Sequence, residues 1–273
     1  MKLFVLFALA IPVCAETPIR FQPDLDTAFS KLYSSDFTSA QKVLDGYLAQ
    51  HPADPVGYSV RAAGYLFFEL DRLGILEADF FKDDKSIRNK KSIQPDPRIH
   101  DLFYSAVNKA QSVAKDILAK NPNDENALFA SCLADGVLTD YLALIEKHQM
   151  QSLSVNKEGY RDAKKLLLLA PDFYDAYLST GFTEYLIGSI PTVFRWFVKF
   201  DDVQGDKRQG VQTMKLVAQN GHYLKPFAKI LLATAYLRDK RIGDATAILR
   251  ELTKSYPQNA LLKHELDRLS GGM

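Results

Sequence analysis

The residues of this chain whose types could do chemistry are five histidines, one internal cysteine and a few acids along one stretch. His51, His100, His148, His222 and His264 are scattered, and no two sit at a metal-ligand spacing on one helix. His264-Glu265 begins like a zinc-binding helix, but Arg268 stands where the second histidine would complete the ligand pair. Cys132 has no cysteine partner and falls at a small, interior-type position, so it reads as a buried small hydrophobe and not as a nucleophile. Asp135, Asp140 and Glu146 lie along one expected helix. The first two are five apart, too far round to share a clean face, and nothing singles the three out as an acid–base pair. Gly205 and Gly210 have the spacing of a phosphate loop without the Lys-Ser/Thr that must follow it, so the stretch reads as a helix opening with Gly210 as a packing residue. No G-x-S-x-G elbow occurs. The expectation is a non-enzymatic chain with no metal and no cofactor.

Charge and the leader narrow the class further. Residues 1–15 read as a secretory signal, with Lys2, an apolar run Leu3–Val13 and the small-residue exit at Ala15. The run is too short for a bilayer, which needs about 20 residues. No other stretch reads as a span, because those near 164–170 and 190–200 carry Lys or Arg. Cleavage after Ala15 is expected, with lipidation of Cys14 disfavoured by the bulk of Val13 before it. The chain is then exported, periplasmic or secreted. The full sequence has 34 basic and 33 acidic residues, and loss of Lys2 brings the formal charge to zero. A neutral chain does not hold nucleic acid by bulk charge. Without Cys14 no internal disulfide can form, so the fold must rest on its core.

Internal repeats dictate which elements carry these residues. Pro52, Pro122, Pro171 and Pro257 each follow an apolar helical pattern, and His222 marks a fifth equivalent position after Asn220-Gly221. Twelve residues before these anchors stand Ala40, Ala110, Gly159, Gly210 and Ala245, all small. Eight before stand Leu44, Ala114, Ala163, Met214 and Leu249, and five before stand Tyr47, Ile117, Leu166, Val217 and Leu252. That spacing puts each trio on one helical face. After the prolines come Tyr58, Leu128 and Tyr177, then the small Ala62, Cys132 and Gly181. Small residues on two facing helices let their backbones approach closely, and the proline ends one helix and starts the turn to the next.

This pattern resembles the tetratricopeptide repeat (TPR) family, most closely at Pro52…Tyr58…Ala62…Tyr65, Pro171…Tyr177…Gly181 and Tyr236…Ala245…Leu249…Leu252…Pro257. The resemblance implies an all-α fold, a right-handed α-solenoid of about five TPR-like helix pairs plus a C-terminal capping helix. The anchors are 70, 49, 51 and 35 residues apart, against about 34 in the family, so the solenoid is irregular. The pairs are expected at about 24–34 with 37–50, 56–80 with 98–120, 125–147 with 156–169, 173–187 with 206–220, and 226–238 with 242–255, with a cap near 259–269. An N-terminal linker, 16–23, precedes the repeat domain, 24–270. Asp54-Pro55 and Asp96-Pro97 place a capping acid before a first-turn proline.

Three insertions break the repeat, near 81–97, 148–155 and 188–205. The first is locally basic and reads as a solvated loop. The second is short and polar. The third holds the chain's one tryptophan, and Phe194, Arg195, Trp196 and Lys199 are the candidate contact residues in it. It reads as a short packed helix, a partner- or lid-type contact, or a membrane-surface contact, the last not favoured.

In stacked helix pairs the first helix of each pair lines the concave face. The residues flanking the packing positions there are Ser59, Phe129, Leu133, Leu178, Phe182, Tyr185, Ile230 and Thr234. This set is apolar and lacks the Lys and Asn pairs that clamp a peptide's terminal carboxylate in some members of the family. The expected function is an exported scaffold that holds a protein or peptide partner in an apolar groove in the cell envelope. The alternative is a carrier of a hydrophobic small molecule or lipid in a cavity near Trp196. A third reading makes the same residues core, should the solenoid be short and tightly curved.

Overall fold

The computed structural model describes residues 20–75, 94–190, 203 and 205–271, and contains eleven α-helices and no strand among them. In chain order these are α1 (Pro23–Tyr33), α2 (Phe37–Gln50), α3 (Pro55–Arg72), α4 (Pro97–Lys120), α5 (Glu125–Asp140), α6 (Gln149–Leu169), α7 (Tyr177–Ser189), α8 (Lys207–Asn220), α9 (Lys225–Arg238), α10 (Ile242–Ser255) and α11 (Ala260–Ser270). They pack in antiparallel succession as five pairs, each pair resting on the next, with α11 covering the last. The helix-pair solenoid expected from the repeat is the architecture observed.

The helix starts follow from local chemistry. The carboxylates of Asp36, Asp54, Asp96, Asp124 and Asp206 each accept a backbone N–H from the first turn they precede, and Asn259 does the same for α11. Pro55 and Pro97 open α3 and α4, where a missing N–H costs nothing. The packing positions behave as the repeat demands. All fifteen residues at the three register positions are buried except Ile117, which is half-buried.

The small positions set the distance between paired helices. A Cβ on Gly210 of α8 would lie 2.5 Å from the Tyr185 backbone N and 2.6 Å from the Gly181 carbonyl of α7. One on Gly181 would lie 2.7 Å from the Thr213 side chain. The two backbones touch where these glycines cross.

Two expectations need correction. The stretch 148–155 is not an insertion between elements: α6 begins at Gln149, so these residues form its first turns. And Glu125–Glu146 is apolar enough to cross a membrane by composition, with a mean hydropathy of 1.6 over its best window. Its apolar content serves the core, since it packs between α3, α4 and α6. The helix passes into a π-helical turn, Tyr141–Ile145, where the Tyr141 ring stacks on Phe103 at 4.1 Å. Residues 1–19, most of the 81–97 stretch and residues 191–202, with the contact candidates Phe194, Arg195, Trp196 and Lys199, lie outside the described residues.

The solenoid is curved tightly enough for its ends to meet. The Asn259 side chain before α11 donates to the Tyr33 carbonyl at the end of α1 (2.9 Å), and the Tyr33 and Tyr256 rings lie 5.5 Å apart. Tyr33 Oη in turn donates to the Tyr223 carbonyl (2.8 Å). One core therefore runs continuously from Leu25 in α1 to Ala235 in α9, with a smaller one around Leu249 and Leu262 between α9, α10 and α11.

Asp175 fixes the turn that makes this closure. It is buried, and its carboxylate accepts the backbone N–H groups of His222 (2.9 Å), Tyr223 (3.1 Å) and Leu224 (2.9 Å). Asp175→Ala is expected to cost about 3 kcal/mol or more in denaturant melts, because it leaves three inward N–H groups unpaired. Gly210→Val is expected to cost about 1–3 kcal/mol by forcing α7 and α8 apart. A melt unchanged from the parent in either variant would show that the close approach, or the cap, does not hold the fold.

Candidate functional site

The groove expected from the sequence is filled. Ser59, Phe129, Leu178, Tyr185 and Thr234 are buried, and Leu133, Phe182 and Ile230 are half-buried. Ser59 Oγ donates to the Ala130 carbonyl (2.9 Å), tying α3 to α5, and the Phe129 ring lies 4.9 Å from Phe173 and 6.3 Å from Tyr223. Five of the eight are core, and the reading that a short, tightly curved solenoid buries its own concave face is the one that fits. Ile230 lines an open concavity at the seam between the two ends of the chain.

What the fold presents instead is the edge where the turns between pairs converge. The segment Arg20–Gln22 crosses it. The Arg20 guanidinium spans two units, donating to Glu125 Oε2 and Asp172 Oδ2 at 2.9 Å each, and lies 5.1 Å over the Phe173 ring. The Asp172 contact raises the Arg20 pKa, and the same guanidinium lowers that of the Asp172 carboxyl. Phe21 stacks on His222 at 4.0 Å and meets the edges of Phe173 and Tyr223 at 5.8 and 5.2 Å. The Gln22 N–H donates to Tyr223 Oη (2.6 Å), and His222 Nε2 lies 2.5 Å from Asp26 Oδ1. An acid pair and three aromatic rings thus hold one basic–aromatic dipeptide, and the hydroxyl of one of those rings, Tyr223, takes the N–H of the residue that follows. Sequence reading missed this site, because Glu125, Asp172, Phe173, His222 and Tyr223 come from three different turns and no spacing joins them.

The other groups suited to chemistry fall elsewhere. Cys132 is buried, and burial pushes its thiol far above the ordinary range, so a thiolate does not form there at neutral pH. Two of the histidines treated as scattered meet at one acid. Glu146 accepts from Tyr104 Oη (2.9 Å), with His148 Nδ1 at 3.1 Å and His100 Nε2 at 3.5 Å. No group of three His, Cys, Asp or Glu among the described residues has a geometry that could hold a metal ion. The Asp206 carboxylate occupies the first N–H groups of α8, Arg208 and Gln209, so that helix opening is capped by the chain's own acid.

The described residues form an α-helical repeat of the kind that the resemblance to the TPR family implies. No family model and no curated protein sequence matches it. Among solved structures it is similar to a thermophilic TPR protein of Thermus thermophilus, at 14% identity and a TM-score of 0.49, over 90% of this chain and 97% of that one.

Asp135 is a perturbed acid with a defined partner. It is buried on α5, accepts from Gln111 Nε2 (2.7 Å), and burial lifts its carboxyl to about 7, with Asp162 and Glu158 adding to the rise. A folded pKa above the unfolded value favours the fold only while the group is protonated. That contribution is complete below about pH 4 and is lost as pH rises through about 7. Asp135→Asn keeps the acceptor for Gln111 and removes the charge. It is expected to match the parent near pH 4 and to be more stable by about 2–4 kcal/mol near pH 8. Equal differences at both pH values in denaturant melts would refute this account.

Proposed function

We propose that this chain is an exported, non-enzymatic scaffold that binds a protein partner through a short peptide segment. The observation that supports the reading is the turn edge just described, where residues from three turns grip the Arg20-Phe21 dipeptide by charge and by ring stacking. A guanidinium bridging two carboxylates, together with aromatic rings around it, is a peptide-recognition chemistry. Most of the apolar groove first expected is buried, which leaves this edge as the recognition surface in this reading, and the partner segment it suits is basic and aromatic.

In this reading Arg20–Gln22 is an internal occupant of the site. A partner must compete with it, and tethering gives that segment a high effective concentration. Export follows from the leader at 1–15 and is checked separately by whether the protein from cell fractions begins after Ala15.

The binding test uses a labelled peptide of sequence TPIRFQPD, which copies residues 17–24. With Arg20→Ala and Phe21→Ala the tether loses its hold, and fluorescence anisotropy is expected to show saturable peptide binding, at least about tenfold tighter than to the parent. Adding Asp172→Asn and Glu125→Gln is expected to abolish it. If the Arg20→Ala, Phe21→Ala protein remains folded and binds no peptide, the turn edge is a structural contact and not a recognition site.

A further inference from the structure

The arm that closes the molecule, Arg20–Gln22 with α1, is joined to α2 by one short turn, Ser34–Asp36. Its bonds run far along the chain. Arg20 reaches Glu125 and Asp172, the Gln22 N–H and the Tyr33 hydroxyl reach Tyr223, and Asn259 reaches the Tyr33 carbonyl. The nearest of these partners in sequence is 105 residues away. A second copy of the chain offers the same groups in the same arrangement, so the edge does not distinguish the arm of its own chain from that of another.

The turn at Ser34–Asp36 decides which arm is used. Ser35 has a φ of 59°, the left-handed conformation that favours glycine, at the place where a helix-closing glycine ordinarily stands. The turn contains neither Gly nor Pro, so no strong helix breaker stands in the way of a helix running through it. The apolar spacing also passes through unbroken. Leu25, Phe29, Tyr33, Phe37, Ala40 and Leu44 follow at intervals of four, four, four, three and four residues, which keeps them on one face of a single helix. With the turn straightened, Pro23–Gln50 is one amphipathic helix, and Ser35 returns to the right-handed region.

We infer that the partner of the turn edge is a second copy of this chain, with the two arms exchanged. Each copy straightens at Ser34–Asp36, and its Arg20–Phe21 and α1 fill the place that the same residues leave in the other, which gives a two-fold dimer. The inference rests on the reading of that edge as a recognition site, and it names the basic, aromatic occupant. Short hinges under strain favour such an exchange, because the contacts of the closed chain are kept while the hinge is relieved.

Two charge-reversed full chains test it. One carries Arg20→Glu, and the other carries Glu125→Lys with Asp172→Lys. Alone, each sets like charges together at the edge, whether the arm is its own or exchanged. Mixed, both exchanged arms meet opposite charge, and native mass spectrometry is expected to show a mixed dimer in excess over either homodimer. The parent is expected to sediment as a dimer in growing proportion as its concentration rises. Hinge variants check the route without touching the edge. Ser35→Gly suits the closed turn and weakens a continuous helix, and Ser35→Ala does the reverse, so the Ser35→Ala dimer is expected to have a Kd at least about tenfold lower than that of Ser35→Gly. Monomers alone in the mixture, with both reversed chains folded by circular dichroism, overturn the inference, and so does equal dimerisation of the two hinge variants. Should a reversed chain fail to fold, the hinge pair decides. Binding of the TPIRFQPD peptide without any mixed dimer leaves the recognition reading standing and removes the exchange. A mixed dimer without peptide binding keeps the exchange and removes recognition of a short peptide.

Discussion

One buried carboxylate holds the shape of the molecule. Asp175 lies in the short 3₁₀ turn before α7, and it accepts three consecutive N–H groups from the turn that leads into α9. Taking a carboxylate out of water costs several kcal/mol, and charge-assisted bonds to three converging donors are what offset it. Burial raises the Asp175 pKa despite the three donors that lower it. The turn so fixed aims Tyr223 inward. Its ring stacks on Phe29 at 4.8 Å, its hydroxyl takes the Gln22 N–H, and its carbonyl takes the Tyr33 hydroxyl. Through Tyr223 the first helix is locked into the centre of the curve.

That lock changes what kind of repeat protein this is. In an open solenoid each unit touches only its neighbours, and the concave face stays free for a partner. Here α1 bonds to residues 190 and more positions away, and the inner faces of the first helices bury one another. The concave face becomes core, and the accessible features move to the turn edge and to the seam, both of which exist only because the ends meet.

The parts legible in the sequence are those that depend on near neighbours in the chain. Helix starts at Asp54-Pro55 and Asp96-Pro97 follow from capping and from the proline ring. The alternation of small and large residues around the anchors correctly marked Gly181 and Gly210 as a backbone crossing. The start of α6 was not legible, because Met150, Leu153 and Val155 alternate with Gln and Ser over Gln149–Val155 and leave only a modest apolar face, which reads as a loop. The groove was misread for another reason. Residues flanking a packing position are solvent-facing on a gently curved solenoid and buried on a tight one, and no local pattern encodes the curvature.

The sequence by itself thus determined the helices, their pairing and the small residues at which pairs touch, because each follows from contacts within a few turns of the chain. Only the tertiary structure decided that the ends meet, that Phe129 and Tyr185 are core, and that Arg20, Glu125, Asp172 and His222 share one edge. The rotation between successive pairs decides those outcomes. It accumulates over five units, and it is set by packing among residues that the sequence keeps far apart.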